Sequence, residues 1–372
     1  MRILITGGAG FIGTALAKRL VDEGHKVIII DSLAPQIHGD LPKVAVLDSV
    51  HFQRSDVRDL LDSKELVEGC DAIFHLAAET GTAQSMYRIQ HYVGVNELGT
   101  AALLEAIAKC ERRPKRIILA SSRSVYGEGA YVHPDMPGKL VQPTSRTWEQ
   151  LSQGQWDFED ENGKRLMAIP TPENLSIAPG SIYAATKASQ ELLLQSAGHA
   201  LGFTPVILRF QNVYGEGQSL MNPYTGIISI FFNRARQGLE IPLYEDGLES
   251  RDFVHIDDIV DGLITSLTAD VPYGATINLG AGIPVSVIEL AEQLIASSGL
   301  DAPIRVTGQF RVGDIRHCYA DLSVARELLG FAPRTSLPDG LARFCNWAAG
   351  QPIHQDSLEK AALELRARKL MA

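Results

Sequence analysis

Near-continuous apolar runs alternate, along the first third of the chain, with stretches in which apolar residues return at helical intervals. Ile3 to Ile5, Val27 to Ile30, Ala72 to Leu76 and Ile117 to Ala120 have the pattern of strands buried on both faces, and a further strand is expected around His51 to Gln53. Between the first two, Leu16, Leu20 and Val21 recur at helical spacing. Strand, helix, strand repeated in this way predicts an α/β fold built on a doubly wound parallel sheet.

The alternation breaks between 127 and about 180. Pro134, Pro137, Pro143, Pro170, Pro172 and Pro179, with Trp148, Trp156 and the acidic run from Asp157 to Glu161, predict an inserted excursion over the mouth of the site. A helix from about Tyr183 to Leu201 and a strand from Pro205 to Phe210 follow. The expected division is a large domain over 1–215, rejoined by about 251–280 through Phe253 to Ile256 and Thr276 to Leu279, and a smaller C-terminal lobe mainly over 216–350. The tail, 351–372, contains the charged stretch Ser357 to Arg368, expected to be an exposed helix or a frayed end.

A length of 372 residues accommodates such a large domain and lobe. The formal charge of −10 excludes a nucleic-acid partner, which would demand a basic face, and makes any anionic ligand dependent on local arginines. No run approaches the roughly 18 apolar residues of a spanning helix, and the short run after Met1 stops at a glycine without the features of a signal peptide. The expectation is a cytoplasmic protein with no membrane partner. Cys70, Cys110, Cys318 and Cys345 lie far apart, suggesting neither a disulfide framework nor a zinc site; they read as small buried apolar residues.

Gly7, Gly10 and Gly13 fall between the first strand and the first helix. A glycine turn there lets the backbone approach a pyrophosphate, to which the helix N-terminus offers unpaired N–H groups. A tight turn packed against a helix would also use glycines, but the second strand ends at Asp31, 18 positions after Gly13, near the separation expected of an acid that binds a ribose 2′-hydroxyl. Its carboxylate repels a 2′-phosphate, so NAD is the expected coenzyme, with Ser32 beside it. Phe11 and Ile12 belong to the same turn. Asp56 and Val57 are candidates for an adenine contact; a helix N-cap is the alternative for Asp56.

Tyr183 and Lys187 stand one turn apart on one helix face, and of ten tyrosines Tyr183 alone has a lysine four positions on. Ser122 ends an expected strand, where ligands bind in open parallel sheets; a turn or cap role is its alternative. Bringing a phenol from ~10 toward ~7 takes about 4 kcal/mol in favour of the phenolate. Lys187 and the nicotinamide cation are the expected sources.

These elements, with His75 to Ala78, Asn96, Ser121 to Gly127, Leu208 to Gly215, Arg251 to Asp258 and Arg311 to Asp314, occur in an order that resembles the extended short-chain dehydrogenases/reductases of the nucleotide-sugar epimerase and dehydratase branch. The resemblance spans nearly the whole chain and implies a Rossmann-type sheet with a smaller C-terminal substrate-binding lobe. It implies that Leu76, Ala77 and Ala78 line the dinucleotide, that Asn96 lies near it, and that Tyr183 and Lys187 also hold its nicotinamide ribose. Ser122 would bond the reacting sugar oxygen, and Asn212, Arg251 and Arg311 would bind the diphosphate of a nucleotide-diphosphate sugar. His75 and His255 are read as structural. A homodimer is also implied, with Leu103, Leu104, Ile107 and Leu192 to Leu194 as the seam; the same residues could pack inside one chain.

Relatives that dehydrate carry an Asp-Glu pair directly after the catalytic Ser/Thr, where this chain has Arg123 and Ser124. The implied activity is therefore a 4-epimerase, an isomerase passing through a 4-keto sugar with NAD retained. The insertion and the stretch Glu79 to Tyr87 are most similar to the dTDP-L-rhamnose 4-epimerase subgroup, implying dTDP-6-deoxy-L-talose as product. Some members carry Cys-x-x-Cys in this insertion, whereas this chain has Asp160 to Lys164, so no metal is expected. The alternatives are a UDP-hexose or UDP-uronate 4-epimerase, a nucleotide-sugar reductase, and a non-catalytic NAD-binding regulator.

Overall fold

Seven strands, all but the edge strand His51–Arg54 rich in apolar residues, pair into one parallel sheet. In the computed structural model, which describes residues 1–39 and 50–372, these are β1 (Arg2–Thr6), β2 (Lys26–Asp31), β3 (His51–Arg54), β4 (Ala72–His75), β5 (Arg116–Ser122), β6 (Thr204–Phe210) and β7 (Ala275–Leu279). Their order across the sheet is β7-β6-β5-β4-β1-β2-β3. The chain leaves β1 in one direction toward β3, then returns to build outward from β4, so the crevice above β1 and β4 is the topological switch point where ligands bind in such sheets.

Period-two alternation divides the sheet's side chains between two cores. Ile3, Ile5, Phe74, Ile118 and Leu208 pack with Leu16 and Leu20 of α1 (Phe11–Asp22). Leu4, Ile73, Leu119 and Ile207 face the opposite layer, with Leu103 and Ile107 of α2 (Gly99–Ala108) and Leu194 of α3 (Ile182–Leu201). Each such side chain, fully buried, contributes ~1.5–3 kcal/mol.

The strand Ser250–His255 does not join this sheet, although its Val254 packs in the first of these cores. The place beside β6 is taken by β7, and Asp252 to His255 instead extend a small sheet in which Asn212–Tyr214 is their parallel neighbour. A third core, including Phe231, Phe232, Leu290, Leu294, Leu341 and Phe344, joins the helices Ile227–Ala235, Val287–Ser298 and Leu337–Ala349.

The insertion forms a three-stranded antiparallel sheet, Ala130–His133, Met136–Val141 and Met167–Ile169. It contributes no residue to the wall of the large cavity described below, which corrects the expectation of an excursion over the site. Buried guanidiniums anchor it elsewhere. Arg146 bonds Glu245 at 2.7 Å, and the fully buried Arg316 reaches Asp157 of the insertion at 2.9 Å and Asp246 at 2.6 and 2.8 Å.

The charged tail is not frayed. It contains the helix Leu358–Ala367, whose Leu358, Ala361 and Leu365 are buried. The phenols of Tyr87 and Tyr224 both donate to Glu364, at 2.9 and 3.0 Å, and the backbone of Leu370 and Ala372 bonds that of Val312 and Phe310. Among the described residues no helix is long and apolar enough to cross a membrane.

Candidate active site

One cavity of about 1450 Å³ runs across the carboxyl ends of the central strands. At one end the turn after β1 forms a cradle. Gly7 has φ +69°, a left-handed conformation, and a Cβ there would sit 2.8 Å from the backbone of Ala77. A Cβ on Gly13 would lie 2.5 Å from the Gly7 carbonyl oxygen. Helix α1 opens at Gly10 with no capping side chain, leaving its first N–H groups to the cavity. The Asp31 carboxylate, at the end of β2, accepts from the N–H of Ala9 (3.1 Å) and of Leu33 (2.8 Å) and borders the same space. Close backbone, free helix N–H groups and an acid at the neighbouring strand end fit a dinucleotide.

Midway along the cavity stand Ser122, Tyr183 and Lys187. Ser122 closes β5 and caps the following turn: its Oγ accepts from the N–H and the hydroxyl of Ser124 at 3.2 and 2.9 Å. The cap and the site share one hydroxyl, since Ser122 also favours the ionised form of the neighbouring Tyr183 phenol. Ser181 caps α3 by accepting from Ala184 N–H, and the N–H of Tyr183 donates to Ser85 Oγ at 3.0 Å. Lys187, one turn on, donates to the Ala120 carbonyl at 2.9 Å. Burial pushes the Tyr183 phenol up, opposed by the Ser122 hydroxyl and the charge of Arg123. Burial pushes the Lys187 ammonium down to about 7, with Glu191 opposing.

The far end of the cavity holds three arginines with different partners. Arg311 is gripped by Asp314 through two contacts of 2.7 Å and lies 4.8 Å over the Tyr244 ring. Arg251 donates only to the carbonyls of Ser250 and Arg316. Arg123 donates through Nε to Asn212 Oδ1 at 2.8 Å, while its Nη1 is buried without a partner. Glu249 lines the same wall; burial pushes its carboxyl up to about 7 and its Oε2 has no partner.

Of the residues singled out from the sequence, all but Asn96 line this cavity: Gly7, Gly10 to Gly13, Asp31, Ser32, Asp56, Val57, Leu76 to Ala78, Ser122, Tyr183, Lys187, Asn212, Arg251 and Arg311. Asn96 is fully buried in a π-helical turn, accepting from Glu79 N–H at 2.8 Å and donating to Glu79 O and Thr186 Oγ1. It ties the loop after β4 to α3 and is placed to position, not to touch, a ligand. Asp56 takes the cap role held open for it, accepting from Arg58 N–H at 2.9 Å and from the Arg58 guanidinium.

His75 is held between Thr6 (2.8 Å) and Thr100 (2.9 Å), and burial pushes it down to about 3. His255 caps the helix Ile256–Thr268 and meets Glu216 at 2.9 Å.

Sequence reading missed the layer beneath Ser122. Glu191 accepts from the Ser121 hydroxyl and from Arg209 at 2.7 and 3.0 Å, all three buried, and Arg209 lies 4.6 Å over the Tyr126 ring. The only trace was the interval of four from Lys187 to Glu191. The four cysteines are free and buried. The acidic trio Glu245, Asp246 and Glu249 lies close together, but Arg146 and Arg316 answer the first two.

Comparison with known proteins agrees with this geometry. The NAD dependent epimerase/dehydratase family matches residues 3–147 and 162–280. A dTDP-L-rhamnose 4-epimerase of Burkholderia thailandensis is 40% identical over 352 residues, 94% of this chain and 95% of that one. Among solved structures, the UDP-glucose 4-epimerase of Thermotoga maritima with UDP-glucose superposes with a TM-score of 0.76 at 27% identity, covering 94% of this chain and 99% of that one. The UDP-glucuronic acid 4-epimerase of Bacillus cereus, in complex with UDP-glucuronic acid and NAD, gives 0.74 at 26%, with the same coverage.

Proposed function

This chain belongs to the NAD dependent epimerase/dehydratase family, and from that premise we propose that it is a nucleotide-sugar 4-epimerase interconverting dTDP-L-rhamnose and dTDP-6-deoxy-L-talose. The observation that carries the reading is the single cavity shared by the glycine cradle, the Ser122, Tyr183, Lys187 constellation and the Arg251, Arg311 end. The 40% identity to a dTDP-L-rhamnose 4-epimerase supports the choice of substrate.

NAD, when bound, accepts a hydride from C4 of the sugar and returns it. Tyr183 takes the proton of the C4 hydroxyl as general base and gives it back after inversion. Ser122 donates to the same sugar oxygen and holds the phenol in line, and Lys187 supplies positive charge from the buried side of the helix. Gly7 to Gly13 and Asp31 hold the pyrophosphate and adenosine ribose of the coenzyme; Leu76, Ala77 and Ala78 line its other side. Arg251 and Arg311, with Asn212, hold the substrate diphosphate while the 4-keto sugar turns to present its opposite face. Arg311 must loosen its grip on Asp314 to do so. Arg123 and Ser124 supply no acid/base pair for dehydration.

The test is incubation of the protein with dTDP-L-rhamnose, without added coenzyme, followed by proton NMR. An equilibrium mixture with the C4-inverted sugar is expected. A folded, NAD-loaded sample that leaves dTDP-L-rhamnose unchanged would overturn the substrate, and consumption of one coenzyme per sugar would replace epimerase with reductase.

A homodimer belongs to the same reading. The seam expected at Leu103, Leu104, Ile107 and Leu194 is taken up by the chain's own core, while Leu98 and Leu192 remain 59% and 57% exposed with Ile89 at 48%. These three offer the apolar surface for a second copy, and light scattering on L98E/L192E tests it by loss of the dimer mass.

A further inference from the structure

Of the arginines that line the cavity, Arg123 alone adjoins Ser122, and the edge of its guanidinium that reaches the cavity has no partner among the described residues. Two features of its setting matter. Its Nε is spent on Asn212 Oδ1 at 2.8 Å, which fixes the plane of the guanidinium. Among the described residues its side chain pairs with no carboxylate; around it stand Arg251, Asp252 and the Cys318 thiol, and Asp252 is committed to the backbone N–H groups of Ala281, Gly282 and Ala320. Nη1 is fully enclosed, which leaves Nη2 as the guanidinium donor open to the cavity.

We propose that Arg123 is a substrate-contacting residue that sets specificity for the sugar: Nε holds Asn212, and Nη2 donates to a pyranose oxygen beside the carbon inverted between Ser122 and Tyr183. The proposal rests on the nucleotide-sugar reading above. A guanidinium suits the task because its planar fork offers donors over an angular range that a hydroxyl or amide does not, and the ring is presented by one face before inversion and by the other after it. Its charge has a second effect. Together with the Ser122 hydroxyl it counters the burial that drives the Tyr183 phenol up.

The experiment compares R123Q and R123K with the parent, all as NAD-loaded protein, in two measurements. The first is calorimetric binding of dTDP against dTDP-L-rhamnose. R123Q is expected to weaken the sugar nucleotide at least about tenfold more than dTDP, with R123K intermediate. Equal weakening of both would overturn the proposal, placing Arg123 at the diphosphate or in the scaffold. So would an unchanged affinity for both.

The second is tyrosinate absorbance near 295 nm across pH, with Y183F as background, which needs no substrate. The Tyr183 transition is expected to move to higher pH in R123Q and to be restored in R123K; an unmoved transition would refute the electrostatic half. Should the parent protein turn over only a UDP-sugar, that reading of the substrate fails alone, and the binding comparison is repeated with UDP and that sugar.

Discussion

The ammonium of Lys187 donates to the backbone carbonyl of Ala120 across 2.9 Å, so the helix bearing Tyr183 is pinned to the strand bearing Ser122 by the residue that charges the site. Burial pushes that ammonium down to about 7. A lysine depressed in the native state and ordinary in the unfolded one is a burden below pH 7, where both states are charged and only the native one has lost its water. The burden lifts between pH 7 and the ordinary lysine range near 10.4, and is absent above it. K187M is therefore expected to melt higher than the parent at pH 6, with the advantage shrinking by pH 10, while its turnover falls by at least about 100-fold. Calorimetric melts of the NAD-free proteins across pH check the first part; a constant difference between the two proteins would contradict it.

Beneath that pair, Arg209 and Glu191 form a two-pronged ion pair with both side chains buried. Removing one partner leaves the other charged and dry, at about 3–5 kcal/mol. R209M is expected to lose that much in urea unfolding, and R209M/E191M to recover most of it. A double variant no better than the single one would mean that the Ser121 bond to Glu191, not the ion pair, holds the layer.

The strands and the cofactor turn were legible because their signals are local. An apolar run such as Val27 to Ile30, or glycines at fixed intervals, carries its meaning within a few residues. Glu191 and Arg209 are 18 positions apart and meet only through α3 and β6, and the Asn212 contact of Arg123 spans 89 positions, so no short pattern announces either. The tail was legible in part, as a helix but not as a packed one. Leu358, Ala361 and Leu365 lie at intervals of three and four, the signature of a buried stripe, but dense charge around them obscured it. Residues with two claims on them, such as Asp56 and Ser122, could be narrowed to their alternatives and no further.

Glu249 gives the diphosphate end its own pH dependence. With its carboxyl pushed up to about 7 by burial, it is neutral below that value and anionic above it, beside Arg251. A sugar nucleotide, whose diphosphate keeps its charge over this range, is expected to bind several-fold more weakly at pH 8.5 than at pH 6. E249Q should flatten the profile. A parent profile already flat would show that the substrate lies clear of this carboxylate.

The cradle is steric as much as electrostatic. A methyl group at position 13 would meet the Gly7 carbonyl at 2.5 Å and the Gly8 Cα at 2.6 Å, both backbone atoms that cannot swing aside. G13A is expected to purify with little bound coenzyme and a lowered melting temperature. Extraction and chromatography of the nucleotide give the occupancy, and full occupancy would contradict the account of the turn.

The residues skipped by the family match, 148–161, contain Asp157, one of the acids that answer the fully buried Arg316. Asp246 and Glu245 hold the same guanidinium from the lobe, so losing Asp157 removes the partner of its Nε and not its counter-charge. One charge-assisted hydrogen bond is worth about 1.5–3 kcal/mol, a real share of a typical net stability of roughly 5–15 kcal/mol. The two sites are therefore expected to drift together: across the family, an arginine at this point of the lobe should be found more often with an acid in the insertion than without one, so that either residue, read in a genome, raises the odds of the other.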